Sequence, residues 1–105
     1  MTRQEKALRI LQLALKINNT PTEREVTGDK PTVFILFSGH VDVLEVYIHS
    51  NGWVEEEYSD YRYYFRLYDD NKSVDYEMSE CILLLRQIWR KYKPTQVEEV
   101  SANAV

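Results

Sequence analysis

At 105 residues, with 44% apolar side chains and one cysteine, the chain has room for a single domain with a small core. One cysteine excludes an internal disulfide framework and suits a reducing cytosol, and the N-terminal apolar pattern, broken by charge, fits neither a signal peptide nor a membrane span. The net charge of −4 is unevenly placed: 6 basic and 4 acidic side chains in residues 1–39, 3 and 11 in residues 40–80, and 4 and 2 in residues 81–105, an asymmetry that concerns partners rather than fold.

Thr2 and Glu5 stand at capping-box spacing, so a helix starts at once. Ala7, Ile10, Leu11, Ala14, Leu15 and Ile17 recur at helical period, with Arg3, Lys6, Arg9 and Lys16 on other faces. "NNTP" at 18–21 ends this helix, and 19–31 reads as a polar, turn-rich connection. "TVFILF", 32–37, is a β-branched and aromatic strand. "SGHV" turns the chain, with Gly39 expected at positive φ.

Residues 41–50 alternate, placing Leu44, Val46 and Ile48 on one face and Val43, Glu45, Tyr47 and His49 on the other. Asn51-Gly52 is a hairpin signal, and the acidic segment after it lengthens the connection. "YRYYFRLY", 61–68, alternates as well: Tyr61, Tyr63, Phe65 and Leu67 bury, while Arg62, Tyr64, Arg66 and Tyr68 form a wet face on which an arginine is placed to pair with Glu45.

Ser73 is the expected N-cap of a last helix, with Asp75 and Glu77 at its positive end. Val74, Met78, Cys81, Ile82, Leu85, Ile88, Trp89 and Tyr92 form its apolar stripe, Arg86, Arg90, Lys91 and Lys93 crowd its last turns, and Pro94 stops it. The expectation is an α+β fold: helix, three-stranded antiparallel sheet, helix, in two layers, spanning 1–93 as one domain with a frayed tail at 94–105.

Motifs for chemistry are sparse. Ser38, His40 and Asp42 alternate around one turn, too local for a triad, and there is no nucleophile elbow or Gly-rich phosphate loop. His40, Asp42, His49 and Cys81 lack the spacing of a zinc site, and Cys81 sits on an apolar stripe as a small hydrophobe. No catalytic residue, metal ligand or cofactor is therefore expected.

In element order the chain resembles the double-stranded-RNA-binding domain. That resemblance implies basic residues at the start of the last helix, where this chain reads "DDNKSVDYE", an acidic stretch that repels phosphate. Direct nucleic-acid binding is not expected, and the ring-and-arginine side of "YRYYFRLY" reads as a solvated sheet face.

The acidic block has two readings. Acidic loops keep a small protein soluble. Spaced carboxylates with rings between them also suit docking into a basic groove that normally holds nucleic acid. On the second reading, Glu55, Glu56, Glu57 and Asp60, with Trp53 and Tyr58 as anchors, form one set, and Asp69, Asp70, Asp75 and Glu77 form another near the opposite end of the sheet.

With "TVFILFSGHVDVLEVYIHSNGW", "VEEEYSD" and "DDNKSVDYE" in view, the chain resembles small accessory proteins of phages and mobile elements in Gram-positive bacteria. It is similar in size, acidity and element order to anti-CRISPR proteins that block Cas9. That resemblance implies a non-enzymatic inhibitor in the cytoplasm of a host bacterium. Its partner would be guide-loaded Cas9, at the arginines that read the motif flanking the target. Arg62, Arg66 and the basic side of the first helix depart from a uniformly acidic DNA mimic. The rival reading is a structural or self-associating accessory protein, monomer or homodimer, with Leu13, Leu83 and Leu84 as a dimer seam.

Overall fold

The computed structural model describes the backbone of residues 1–18 and 30–103 and the side chains of 1–18 and 30–91. The expected connection at 19–31 therefore lies mostly outside the described residues. Five elements follow in order: α1 (Arg3–Asn18), β1 (Thr32–Ser38), β2 (Val43–His49), β3 (Tyr61–Arg66) and α2 (Lys72–Asn103). The strands form one antiparallel sheet in the order β1-β2-β3. α1 lies against α2 and β1, and α2 reaches β3, so both helices cover the same face. This is the two-layer α+β arrangement the sequence implies.

Local chemistry explains the element ends. The Glu5 amide donates to Thr2 Oγ1 at 3.1 Å and the Thr2 amide to Glu5 Oε1 at 2.7 Å, a reciprocal capping box. At the far end of α1, the Asn18 side-chain amide both donates to and accepts from the Val33 backbone, each at 2.7 Å. It acts as a substitute peptide on the outer edge of β1, where two backbone groups would otherwise lack a strand. The N-cap of α2 is Asn71 rather than Ser73: its Oδ1 accepts from the Ser73 amide at 3.0 Å, and Asp69 Oδ1 accepts from the Asn71 amide at 2.8 Å. The start moves because Asn71, itself set by the preceding turn, reaches the second helical amide first.

The core joins Ile10, Leu13, Ala14 and Ile17 of α1, Val33, Leu44, Val46, Ile48 and Phe65 of the sheet, and Val74, Met78, Cys81, Ile82, Leu85 and Ile88 of α2. Each fully buried Leu, Ile or Phe contributes roughly 1.5–3 kcal/mol. The faces expected for β2 and the described part of the α2 stripe hold, whereas on β3 only Phe65 buries fully: Tyr63 and Leu67 are half-buried and Tyr61, expected inside, is exposed at the end of the strand; the Tyr92 side chain lies outside the described residues.

Four further expectations are corrected. Leu13 belongs to the core, not to a dimer seam, and Leu11 and Leu15 are exposed, because positions 10, 13, 14 and 17 already fill one face of α1. Leu83 is exposed, but Leu84 packs against the core, so these leucines form no shared seam. Gly39 is not at positive φ; Asp42 takes that role at 55°, tolerable for a short polar side chain, and a Cβ on Gly39 would make only an ordinary 3.6 Å contact with Phe37.

The fourth concerns α2, which runs past Pro94 to Asn103. A proline removes one hydrogen bond and can bend a helix without ending it, and residues beyond it include good helix formers. Arg86, Arg90, Lys91 and Lys93 consequently lie within the helix rather than in its last turn.

Candidate interaction surface

The face of the sheet opposite the helices carries no element of its own among the described residues. Strand register sets its side chains in rows: Phe34–Tyr47–Arg62, then Leu36–Glu45–Tyr64, then Ser38–Val43–Arg66. Phe34, Leu36 and Tyr64 are exposed, while Val43 is buried apart from the main core. The Arg62 guanidinium stands 5.0 Å from the Tyr47 ring centre and that of Arg66 5.7 Å from the Tyr64 ring, so each arginine lies over a tyrosine. Glu45 accepts from Tyr47 Oη at 2.5 Å and forms no salt bridge with an arginine among the described residues, because its direct cross-strand neighbour is Tyr64. That hydrogen bond holds the Tyr47 phenol above its ordinary pKa.

The connection from β2 to β3 rises at one end of this face. The Gly52 amide donates to the His49 carbonyl, with Gly52 at φ 101°, a conformation that suits glycine. A second turn brings the Glu57 amide to the Val54 carbonyl at 3.1 Å and puts Glu56 at φ 70°. The Asp60 amide returns to the Ile48 carbonyl at 2.9 Å, and the Ser50 hydroxyl donates to the Asp60 carboxylate. Glu55, Glu56 and Glu57 project outward without a side-chain partner among the described residues, and Tyr58 is 97% exposed.

Between this loop and the sheet lies an open groove of about 480 Å³. It joins Trp53, Glu57, Tyr58 and Asp60, all assigned to partner binding from the sequence, with Phe34, Tyr47, His49 and Arg62, which were not. Period-two alternation carries the signal for the second group: Tyr47 and His49 share a face, and register adds Arg62 and Phe34. The continuous apolar run of β1 hides which way Phe34 points.

The second acidic set does not join the first. Asp69, Asp70, Asp75 and Glu77 lie past the other end of β3, roughly 17 Å away for a strand of this length. Two of them serve the fold. Arg3 donates from Nε and Nη2 to the two Asp75 carboxylate oxygens, at 2.9 and 3.1 Å, from Nη1 to the carbonyls of Leu67 and Asp69, and from Nη2 to that of Asn71. The guanidinium holds the Asp75 carboxyl below its ordinary pKa. Asp69 caps the turn before α2. Asp70 and Glu77 remain exposed.

No side-chain hydrogen bond links Ser38, His40 and Asp42 among the described residues, and His40 and Asp42 are exposed. No group of three or more potential metal ligands occurs among the described residues, and no helix among them is long and apolar enough to cross a membrane. Burial pushes the Cys81 thiol up to about 12, which suits a core side chain and not a nucleophile. Comparison with family models, curated proteins and solved structures gives no match.

Proposed function

We propose that the chain is a non-enzymatic binding protein that docks the acidic β2–β3 loop and adjoining sheet face into a basic, nucleic-acid-holding groove of a protein partner. The observation that carries this reading is the loop itself. Glu55, Glu56 and Glu57 are exposed and without a side-chain cation among the described residues, next to a tyrosine almost entirely in solvent. Carboxylates beside rigid rings favour fast, charge-steered association and give the contact aromatic anchors. The anti-CRISPR resemblance makes guide-loaded Cas9 the first partner to test, because its DNA-reading site uses arginines.

The test is cleavage of a target duplex by Cas9 enzymes from Gram-positive bacteria, with the chain added before or after DNA. Inhibition only when the chain comes first is the expected result, and E55A/E56A/E57A should weaken it and flatten its salt dependence. Unchanged inhibition and salt response in the triple variant would overturn the acidic-loop mechanism. No inhibition of any tested enzyme would remove Cas9 as the partner.

A second reading, self-association, draws on α1. Leu8, Leu11 and Leu15 are exposed on its outer side, 3 to 4 residues apart, with Met1 in the same patch. Sedimentation over a range of concentrations separates the two: a constant monomer mass excludes self-association.

A further inference from the structure

We propose that the groove between the β2–β3 loop and the open sheet face is a receptor for one arginine side chain. That an arginine-rich protein supplies it rests on the reading above; the receptor itself rests on four observations.

The groove is lined by Phe34, Trp53 and Tyr58, by Tyr47 with Arg62 already over its ring, and by the acidic residues Glu57 and Asp60. Rings attract a cation through their electron-rich faces, and carboxylates pair with a guanidinium through parallel N–H donors. The floor includes His49, only 7% exposed and edge-on to Phe34 at 5.5 Å. Its imidazole nitrogens have no hydrogen-bond partner among the described residues. A buried polar ring without a partner is unfavourable, and a guanidinium N–H entering the groove can donate to its acceptor nitrogen.

The same surface already binds guanidinium groups intramolecularly, Arg62 over Tyr47 and Arg66 over Tyr64. No cation stands over Trp53 or Tyr58 among the described residues, and tryptophan is the strongest ring for that contact. Arginine fits better than lysine because a planar fork can stack on a ring and pair with a carboxylate together. A nucleotide fits worse, because the carboxylates of Glu57 and Asp60 outnumber the one groove cation among the described residues, Arg62, and repel the nucleotide's phosphate.

The test follows the indole N–H signal of Trp53 in ¹⁵N spectra of the intact protein, identified by its loss in Trp53→Leu. The ligands are N-acetyl-Gly-Arg-Gly-amide, its lysine and citrulline analogues, and AMP. The Trp53 signal should move saturably with the arginine peptide, less with lysine and not with citrulline. Glu57→Gln and His49→Gln, checked as folded by their amide spectra, should weaken binding by roughly threefold to tenfold. Arg62→Gln should tighten it, because a like charge leaves the groove.

Equal shifts with citrulline, no shift with arginine, or AMP binding that Arg62→Gln weakens would each overturn the receptor. Failure here separates from failure of the broader reading. Salt-sensitive inhibition of Cas9 without an arginine shift defeats the receptor alone, whereas an arginine shift without any basic protein partner defeats the broader reading alone.

Discussion

At the scale of single residues, the side chains that look most available from sequence divide into those the fold uses and those it leaves free. Asp75 is the clearest case of the first kind. Its carboxylate is clasped by Arg3, and its carbonyl accepts from Lys6 Nζ at 3.0 Å. The hydrogen bond to Arg3 lowers its pKa in the folded chain. A depressed carboxylate stabilises the fold above its unfolded-state pKa, and that contribution disappears as pH falls through the folded value. Asp75→Asn should therefore melt several degrees below the native chain at neutral pH, with the gap closing in acid. Melting curves across the acid range check this, and a gap that persists there would show that charge is not its source.

Asn71 serves α2 by a different route. Asn71→Ala should cost about 1 kcal/mol in urea unfolding, the usual loss for an N-cap. Ser73→Ala should cost less, since its amide rather than its hydroxyl makes the capping bond.

At the scale of elements, alternation made β2 and β3 legible, and their paired faces follow from it. α1 was less legible because it has two apolar stripes. Ile10, Leu13, Ala14 and Ile17 lie inside, while Leu8, Leu11 and Leu15 lie outside, and each set satisfies helical spacing. Only the sheet beneath decides which set is buried. The groove was half legible for a similar reason. Its loop half announces itself through charge and rings, whereas its sheet half depends on register, a property of two strands and not of either alone.

Packing across these elements makes two outcomes testable. Phe65 is completely buried and stacks against Tyr63 at 5.6 Å, so Phe65→Ala should destabilise the domain by about 3–5 kcal/mol in denaturant titrations. Cys81, also completely buried and held as the thiol, should react with iodoacetamide only as fast as the chain opens. Rapid labelling of the native chain would mean that α2 leaves the core locally.

At the scale of the whole molecule, the acidic block is continuous in sequence but divided in space. β3 carries the chain across the sheet, leaving Glu55, Glu56, Glu57 and Asp60 at one end and Asp69, Asp70, Asp75 and Glu77 at the other. The first end sets Glu55, Glu56 and Glu57, unpaired among the described residues, beside a ring-lined groove, whereas at the second Asp69 and Asp75 are committed to the start of α2. If solubility were the whole role of the charge, the two ends would be interchangeable. On the docking reading they are not.

E55A/E56A/E57A should slow association with a basic-groove partner at low salt and flatten its dependence on ionic strength, while the far-end pair D70N/E77Q should leave both nearly unchanged. Binding kinetics at several salt concentrations compare the two variants. Equal effects at the two ends would mean that net charge, not the loop and its groove, governs the encounter.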